Sequence, residues 1–173
     1  MQRKIISNGK CLILDKNYKI SPMQEILTLT RASRNLVSKL IEGYTLEQLN
    51  KVPVGFNNNI IWNIAHVVVT QQLLVYNLSG LPMLVSDEMV TKYRKGTKTE
   101  HFARQDEVDE VLSLLTKTIE QTEIDIQNNV FQNFTEYPTS AGYVLTSAQD
   151  AMTFNNFHEG IHLGVILGLR KLV

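Results

Sequence analysis

Thr146–Val173 reads TSAQDAMTFNNFHEGIHLGVILGLRKLV, and this stretch decides the fold. Its apolar residues recur with a helical period. It holds two of the chain's four histidines, His158 and His162, four residues apart. On a helix that spacing sets both side chains on one face, one turn from each other. Such a pair reaches a common metal ion through ring nitrogens at about 2.0–2.1 Å. The face that carries them is otherwise apolar: Ala151, Phe154, Ile161, Val165, Leu169 and Leu172. The expectation is a helix whose two imidazoles point into a core. Thr146 or Ser147 starts it, because Gln149 and Asp150 follow at capping distance.

Three further segments share this pattern. Ser21-Pro22-Met23-Gln24 is a well-formed helix start, with Ser as cap, Pro in the first turn and Gln three residues on. Met23, Ile26, Leu27, Thr30, Val37, Leu40 and Ile41 then trace one stripe, and Gly43 supplies a stop. The spacing predicts a helix over 21–42. Thr45-Leu46-Glu47-Gln48 repeats the cap for one or two turns before Pro53. The turn-rich Gly55–Asn59 leads into a second long helix, about 58–78, with Trp62, His66, Val69, Leu73 and Tyr76 as its stripe. A third covers 105–128, with Val108, Val111, Leu112, Leu115, Ile119, Thr122 and Ile126 on one side.

The connections differ in length. Residues 80–104 form a long polar link, and 129–145, with Pro138 and Gly142, form a second loop. Links of that length are uncommon in compact domains and often functional. The first 20 residues read as an arm with a short extended piece at Cys11–Leu14. No repeat or domain boundary appears, so 21–173 reads as one all-α domain, a four-helix bundle. The long link allows its second and third helices to run parallel.

Composition narrows function. The chain has 173 residues, 43% hydrophobic, and equal numbers of acidic and basic side chains. No basic block interleaved with aromatics marks a nucleic-acid partner, and no apolar run approaches the roughly 18 residues of a membrane span. The basic start is a poor secretory signal. The single Cys11 permits no internal disulfide, which fits a reducing cytoplasm, and reads as an inert thiol.

His66 lies on the core stripe of the second helix, and His158 and His162 lie on that of the fourth. Facing helices can therefore present three imidazoles to one point. Three neutral nitrogen ligands with one position open form a catalytic pattern for zinc that also suits nickel, iron or copper. His101, in the long link, reads as a surface residue. His158-Glu159-Gly160-Ile161-His162 also matches the H-E-x-x-H of zinc proteases. Only eleven residues follow His162, none a strong ligand, and no substrate-binding sheet precedes it, so a protease is disfavoured. Glu159 is a packing carboxylate or, in a sharper reading, a base or the acceptor for a ligand.

With Trp62-Asn63-Ile64-Ala65-His66, His158-Glu159-Gly160-Ile161-His162-Leu163-Gly164 and Leu169-Arg170-Lys171-Leu172, the sequence resembles the DinB-like family over about 21–173. The resemblance implies an up-down-down-up bundle and a divalent metal held at the positions of His66, His158 and His162. It also implies thiol-dependent S-transfer or isomerisation with low-molecular-weight thiols, and a homodimer. Val165 departs from the common pattern, where Gln often follows the Gly. Candidate contacts for a small-molecule substrate or thiol are Trp62, Tyr76, Tyr93 and Asn155, with Glu159 as the candidate catalytic group; the plainer readings are core packing for Trp62 and Tyr76, a surface loop position for Tyr93, and for Asn155, one turn before His158, a bond to a ligand imidazole. Against the enzyme stand a non-catalytic metal-binding bundle and an interaction module that keeps its histidines without a metal.

Overall fold

The structure is a computed structural model that describes residues 20–173 and, before them, the backbone of two short strands. Those strands, β1 (Lys4–Ser7) and β2 (Lys10–Ile13), pair antiparallel, with Lys4 opposite Ile13. The extended piece expected at Cys11–Leu14 is thus β2 up to Ile13; Leu14 and the Cys11 side chain lie outside the described residues.

Helix α1 (Pro22–Leu40) begins with the expected reciprocal cap: Gln24 N donates to Ser21 Oγ at 3.2 Å, and Ser21 N donates to Gln24 Oε1 at 2.9 Å. The chain turns after it at Gly43, whose φ of +80° favours glycine. Helix α2 (Leu46–Asn50) is the short capped turn. Helix α3 (Ile60–Gln71) starts one residue after its cap, Asn59, whose Oδ1 accepts from Trp62 N at 2.8 Å. It runs on through a π turn (Gln72–Tyr76) and a 3-10 turn (Asn77–Ser79).

Two expectations need correction here. Helix α3 shows no single stripe: every residue from Ile60 to Val69 is buried. The cause is the long link, which folds as helix α4 (Asp87–Tyr93) and packs on α3. Val85, Met89, Tyr93 and Ala103 of the link are buried, so its polar composition hides a real packing surface.

Helix α5 (Gln105–Gln127) buries Val108, Val111, Leu115, Ile119, Thr122 and Ile126 as expected. The second loop carries a two-residue hairpin, β3 (Tyr137–Pro138) with β4 (Val144–Leu145). Helix α6 (Ala148–Leu169) is capped by Ser147, whose Oγ accepts from Asp150 N.

Helix α1 packs on α5 and α6, and so does α3. Cross-helix bonds give the directions. Thr30 meets Asn156 and Arg34 meets Glu159, so α1 and α6 run parallel. Arg31 meets Glu123 while Arg34 meets Thr118, so α5 opposes α1. Asn63 meets His162 while His66 meets His158, so α3 opposes α6. The order is up, down, down, up, and the link bearing α4 spans the bundle between the parallel pair.

Helix α6 is rotated relative to the expected face. Ala151 and Leu169 are buried, but Ile161 is 50% exposed and Leu172 is exposed too. Asn155 and Glu159 take the inward positions beside Met152 and Ile166. Arg34 of α1 also points inward, which the stripe did not foresee. With Thr118 and Thr122 of α5 these residues form a polar layer through the bundle. Apolar clusters lie on either side: Val37, Ile64, Leu115 and Ile166 in one, Leu27, Ile119, Ala151 and Met152 in the other.

Candidate metal centre

His66, His158 and His162 come together between α3 and α6, each offering a ring nitrogen, with the three nitrogens within 4.8 Å of one another. They do not point into the closed core. His158 and His162 are half-buried and line a cavity of about 740 Å³ that His66 also reaches. The rotation of α6 produces this placement: with Asn155 and Glu159 turned inward, the histidine row moves to the edge of the α3 contact.

Two rings are oriented by neighbours that only accept. His66 Nδ1 donates to the Tyr93 carbonyl at 2.6 Å. His162 Nδ1 donates to Asn63 Oδ1 at 2.8 Å, and the Asn63 amide is itself fixed because its Nδ2 donates to the Asn59 carbonyl at 2.7 Å. With the proton on Nδ1, each Nε2 keeps its lone pair. Trp62 stacks on His66, with ring centroids 4.6 Å apart and planes 10° from parallel.

His66 Nε2 and His158 Nε2 are 3.2 Å apart. Two ligand nitrogens on a tetrahedral zinc at 2.0–2.1 Å stand about 3.3 Å from each other. Two facing lone pairs at that distance repel unless a proton or a cation lies between them. Burial and the neighbouring imidazoles push His158 down to about 3. Burial, then the nearness of His66, pushes His162 down to about 4. Burial also lowers His66, partly offset by the Tyr93 carbonyl. All three rings are thus neutral near pH 7, the form that binds a metal. The donor set fits a borderline divalent ion with room for a further ligand from the cavity.

The other expected site residues divide. Trp62 lines the cavity. Tyr93 is no surface loop residue. It is buried at the end of α4, its carbonyl orients His66, and its hydroxyl donates to Glu107. Burial and that carboxylate push the hydroxyl's pKa up. Tyr76 is in the core, donating to Asp125 Oδ2 at 2.6 Å, and is not a cavity-lining residue. Asn155 Nδ2 donates to Glu159 Oε1 at 2.7 Å. The Glu159 carboxylate faces away from the imidazoles, into the bundle, where Arg34 Nη2 donates to it at 2.8 Å. It is engaged as the buried partner of an ion pair rather than as a base in the cavity. His101 is exposed, 3.5 Å from Glu107, and outside the histidine group.

Sequence reading missed Asn63, Arg34 and the β3–β4 hairpin, whose Tyr137, Thr139 and Ser140 line the cavity. Asn63 carried a signal: a polar residue three before His66 in an otherwise apolar run. The hairpin carried none, since its place follows from how a 17-residue loop folds back over α6.

No curated protein matches the sequence. The fold is similar to that of a conserved protein from Enterococcus faecalis, known from a crystal structure. The two chains are 12% identical, with a TM-score of 0.63 over 90% of this chain and 98% of that one. At that identity the likeness is one of fold alone. The sequence model of the DinB superfamily matches residues 29–166, a span that takes in all three histidines and Arg34, and the chain belongs to the DinB superfamily.

Proposed function

We propose that this chain is a metal-dependent enzyme in which His66, His158 and His162 hold a divalent ion, zinc or nickel, and that it transfers a low-molecular-weight thiol to a small electrophile or hydrolyses that electrophile. The observation that carries the reading is the convergence of three neutral imidazoles on the wall of an open cavity rather than inside a sealed core. A bound divalent ion would lower the pKa of a thiol or water, making a nucleophile available at neutral pH.

The chain's own residues do the rest. The Tyr93 carbonyl and Asn63 Oδ1 fix the tautomers of His66 and His162, so neither ring has to reorient. Trp62, Leu73, Leu74, Phe154 and Val165 give the cavity apolar walls that exclude water around a reacting sulfur or oxygen. Thr70 Oγ1, 3.4 Å from His66 Nε2 and lining the same space, is placed to hydrogen-bond a group held there. Among the described residues no Asp or Glu lines this cavity and Lys95 does, so a neutral or anionic electrophile suits it better than a cationic one. A cytoplasmic location, with its supply of small thiols, and a homodimer complete the proposal.

Metal analysis of protein purified without a histidine tag tests it, together with a thiol-dependent transferase screen on small electrophiles. About one divalent ion per chain, lost in a folded His158→Ala variant, and turnover lost with it are the expected results. Protein that carries no stoichiometric metal after reconstitution sinks the proposal. Metal without thiol-dependent or hydrolytic turnover leaves a binding protein in place of an enzyme.

A further inference from the structure

We propose that Asn155 is the positioning residue for His158, its Oδ1 being the acceptor that holds the His158 Nδ1–H and aims Nε2 at the metal position. The inference rests on the metal reading above and adds a residue to it. Two of the three imidazoles have an acceptor on Nδ1: the Tyr93 carbonyl for His66 and Asn63 Oδ1 for His162. His158 has none. Among the described residues, two buried side-chain polar atoms lack a hydrogen-bond partner, and they are His158 Nδ1 and Asn155 Oδ1.

The two are not bonded to each other in the structure, but they are chemically complementary, a ring N–H and an amide oxygen. They belong to residues three apart on α6, which share a face of the helix. The orientation of the Asn155 amide is also fixed. Its Nδ2 donates at 2.7 Å to Glu159, whose carboxylate only accepts, so the oxygen is the end left over. Leaving either atom unpaired is costly in a buried setting, and pairing them removes both costs at once.

Asn155 is 1% exposed and does not line the cavity, so its effect on the site passes through His158. The pairing also ties the site to the core. Arg34 holds Glu159, Glu159 holds the Asn155 amide, and Asn155 would hold the ligand. An acceptor on Nδ1 keeps the ring in the tautomer whose Nε2 is free to bind, and raises its basicity.

The test is zinc affinity, by chelator competition on tag-free protein, for wild type, Asn155→Ala and Asn155→Asp. Asn155→Ala is expected to bind zinc about 10–100-fold more weakly. Asn155→Asp keeps an oxygen acceptor whether ionised or protonated, and is expected to stay near wild type even if it is less stable. A role confined to propping up Glu159 predicts the opposite order, with Asp at least as damaging as Ala, and that result overturns the proposal. Wild-type affinity in folded Asn155→Ala overturns it equally.

Nitrogen-15 spectra of the imidazoles in the unmutated protein, with and without zinc, serve if a variant does not fold. A His158 Nδ1–H protected from solvent exchange in both supports the pairing; an Nε2–H tautomer or a rapidly exchanging proton in the metal-free protein excludes it. If wild type binds no zinc, the proposed function fails, while the metal-free spectrum still decides the Asn155 contact.

Discussion

Arg34 and Glu159 form an ion pair at the centre of the bundle, each only 2% exposed, with Glu159 next to His158 in sequence and one turn from Asn155 on α6. The Arg34 Nε donates at 3.1 Å and Nη2 at 2.8 Å to the same Oε1, and Nη1 donates to Thr118 Oγ1 at 2.7 Å. One pair therefore ties α1, α5 and α6 together and sets the rotation of the helix that presents His158 and His162.

Removing one partner should cost far more than removing both. Arg34→Met strands a buried carboxylate, which typically costs about 3–5 kcal/mol. Arg34→Met with Glu159→Met replaces the pair by apolar volume and should recover most of that loss. Urea unfolding of the single and double variants measures both. Equal losses in the two would mean the pair is not acting as a buried unit.

Asn63 should matter to the metal more than to the fold. Its Oδ1 fixes the His162 tautomer, and loss of such an acceptor usually weakens metal binding about 10–100-fold. Asn63→Leu is the variant, and calorimetric zinc titration the measurement. An unchanged affinity would show that His162 needs no such support.

Metal should stabilise the fold through three histidines and not the fourth. Binding to the native state alone adds about 2.7 kcal/mol when free metal is 100 times the Kd. Zinc should raise the melting temperature of wild type and of His101→Ala alike, since His101 stands apart by Glu107. His66→Ala and His158→Ala should show no such rise. A loss of the shift in His101→Ala would place the site elsewhere.

Metal-free protein should lose stability as the pH falls below about 6.5. His158 is held down to about 3 and His162 to about 4 in the folded chain, against about 6.5 when unfolded. Below 6.5 the unfolded chain takes up protons that the folded one resists, so unfolding gains. The loss continues until the pH passes the folded values. Its steepness is at most about 1.4 kcal/mol per pH unit for each imidazole, and less for half-buried rings. Denaturant midpoints between pH 7 and 4 record it. His158→Ala should flatten the dependence.

The chain's local chemistry fixes a good deal. Ser21 and Gln24, Asn59, and Ser147 mark helix starts, because a short polar side chain before an apolar period satisfies backbone N–H groups that nothing else reaches. The i, i+4 spacing of His158 and His162 puts both imidazoles on one side of their helix, because a helix has one period, and His66 stands on another apolar helix that packs against it. The caps and the spacing belong to the sequence itself.

Which way each helix is turned is a property of the assembled molecule. The apolar count on α6 favours the face with Ile161, yet Ile161 is exposed and Glu159 is buried, because Arg34 on a helix 125 positions away supplies the opposite charge. Hydropathy scores a carboxylate as polar wherever it sits, and only the folded chain brings its partner. The same holds for Tyr93, polar in its neighbourhood and buried in fact, whose contribution to the site is a backbone carbonyl that any residue type would carry. Periodicity determined that two imidazoles share one side of a helix; long-range packing brought the third to them, at the edge of a cavity instead of inside the core.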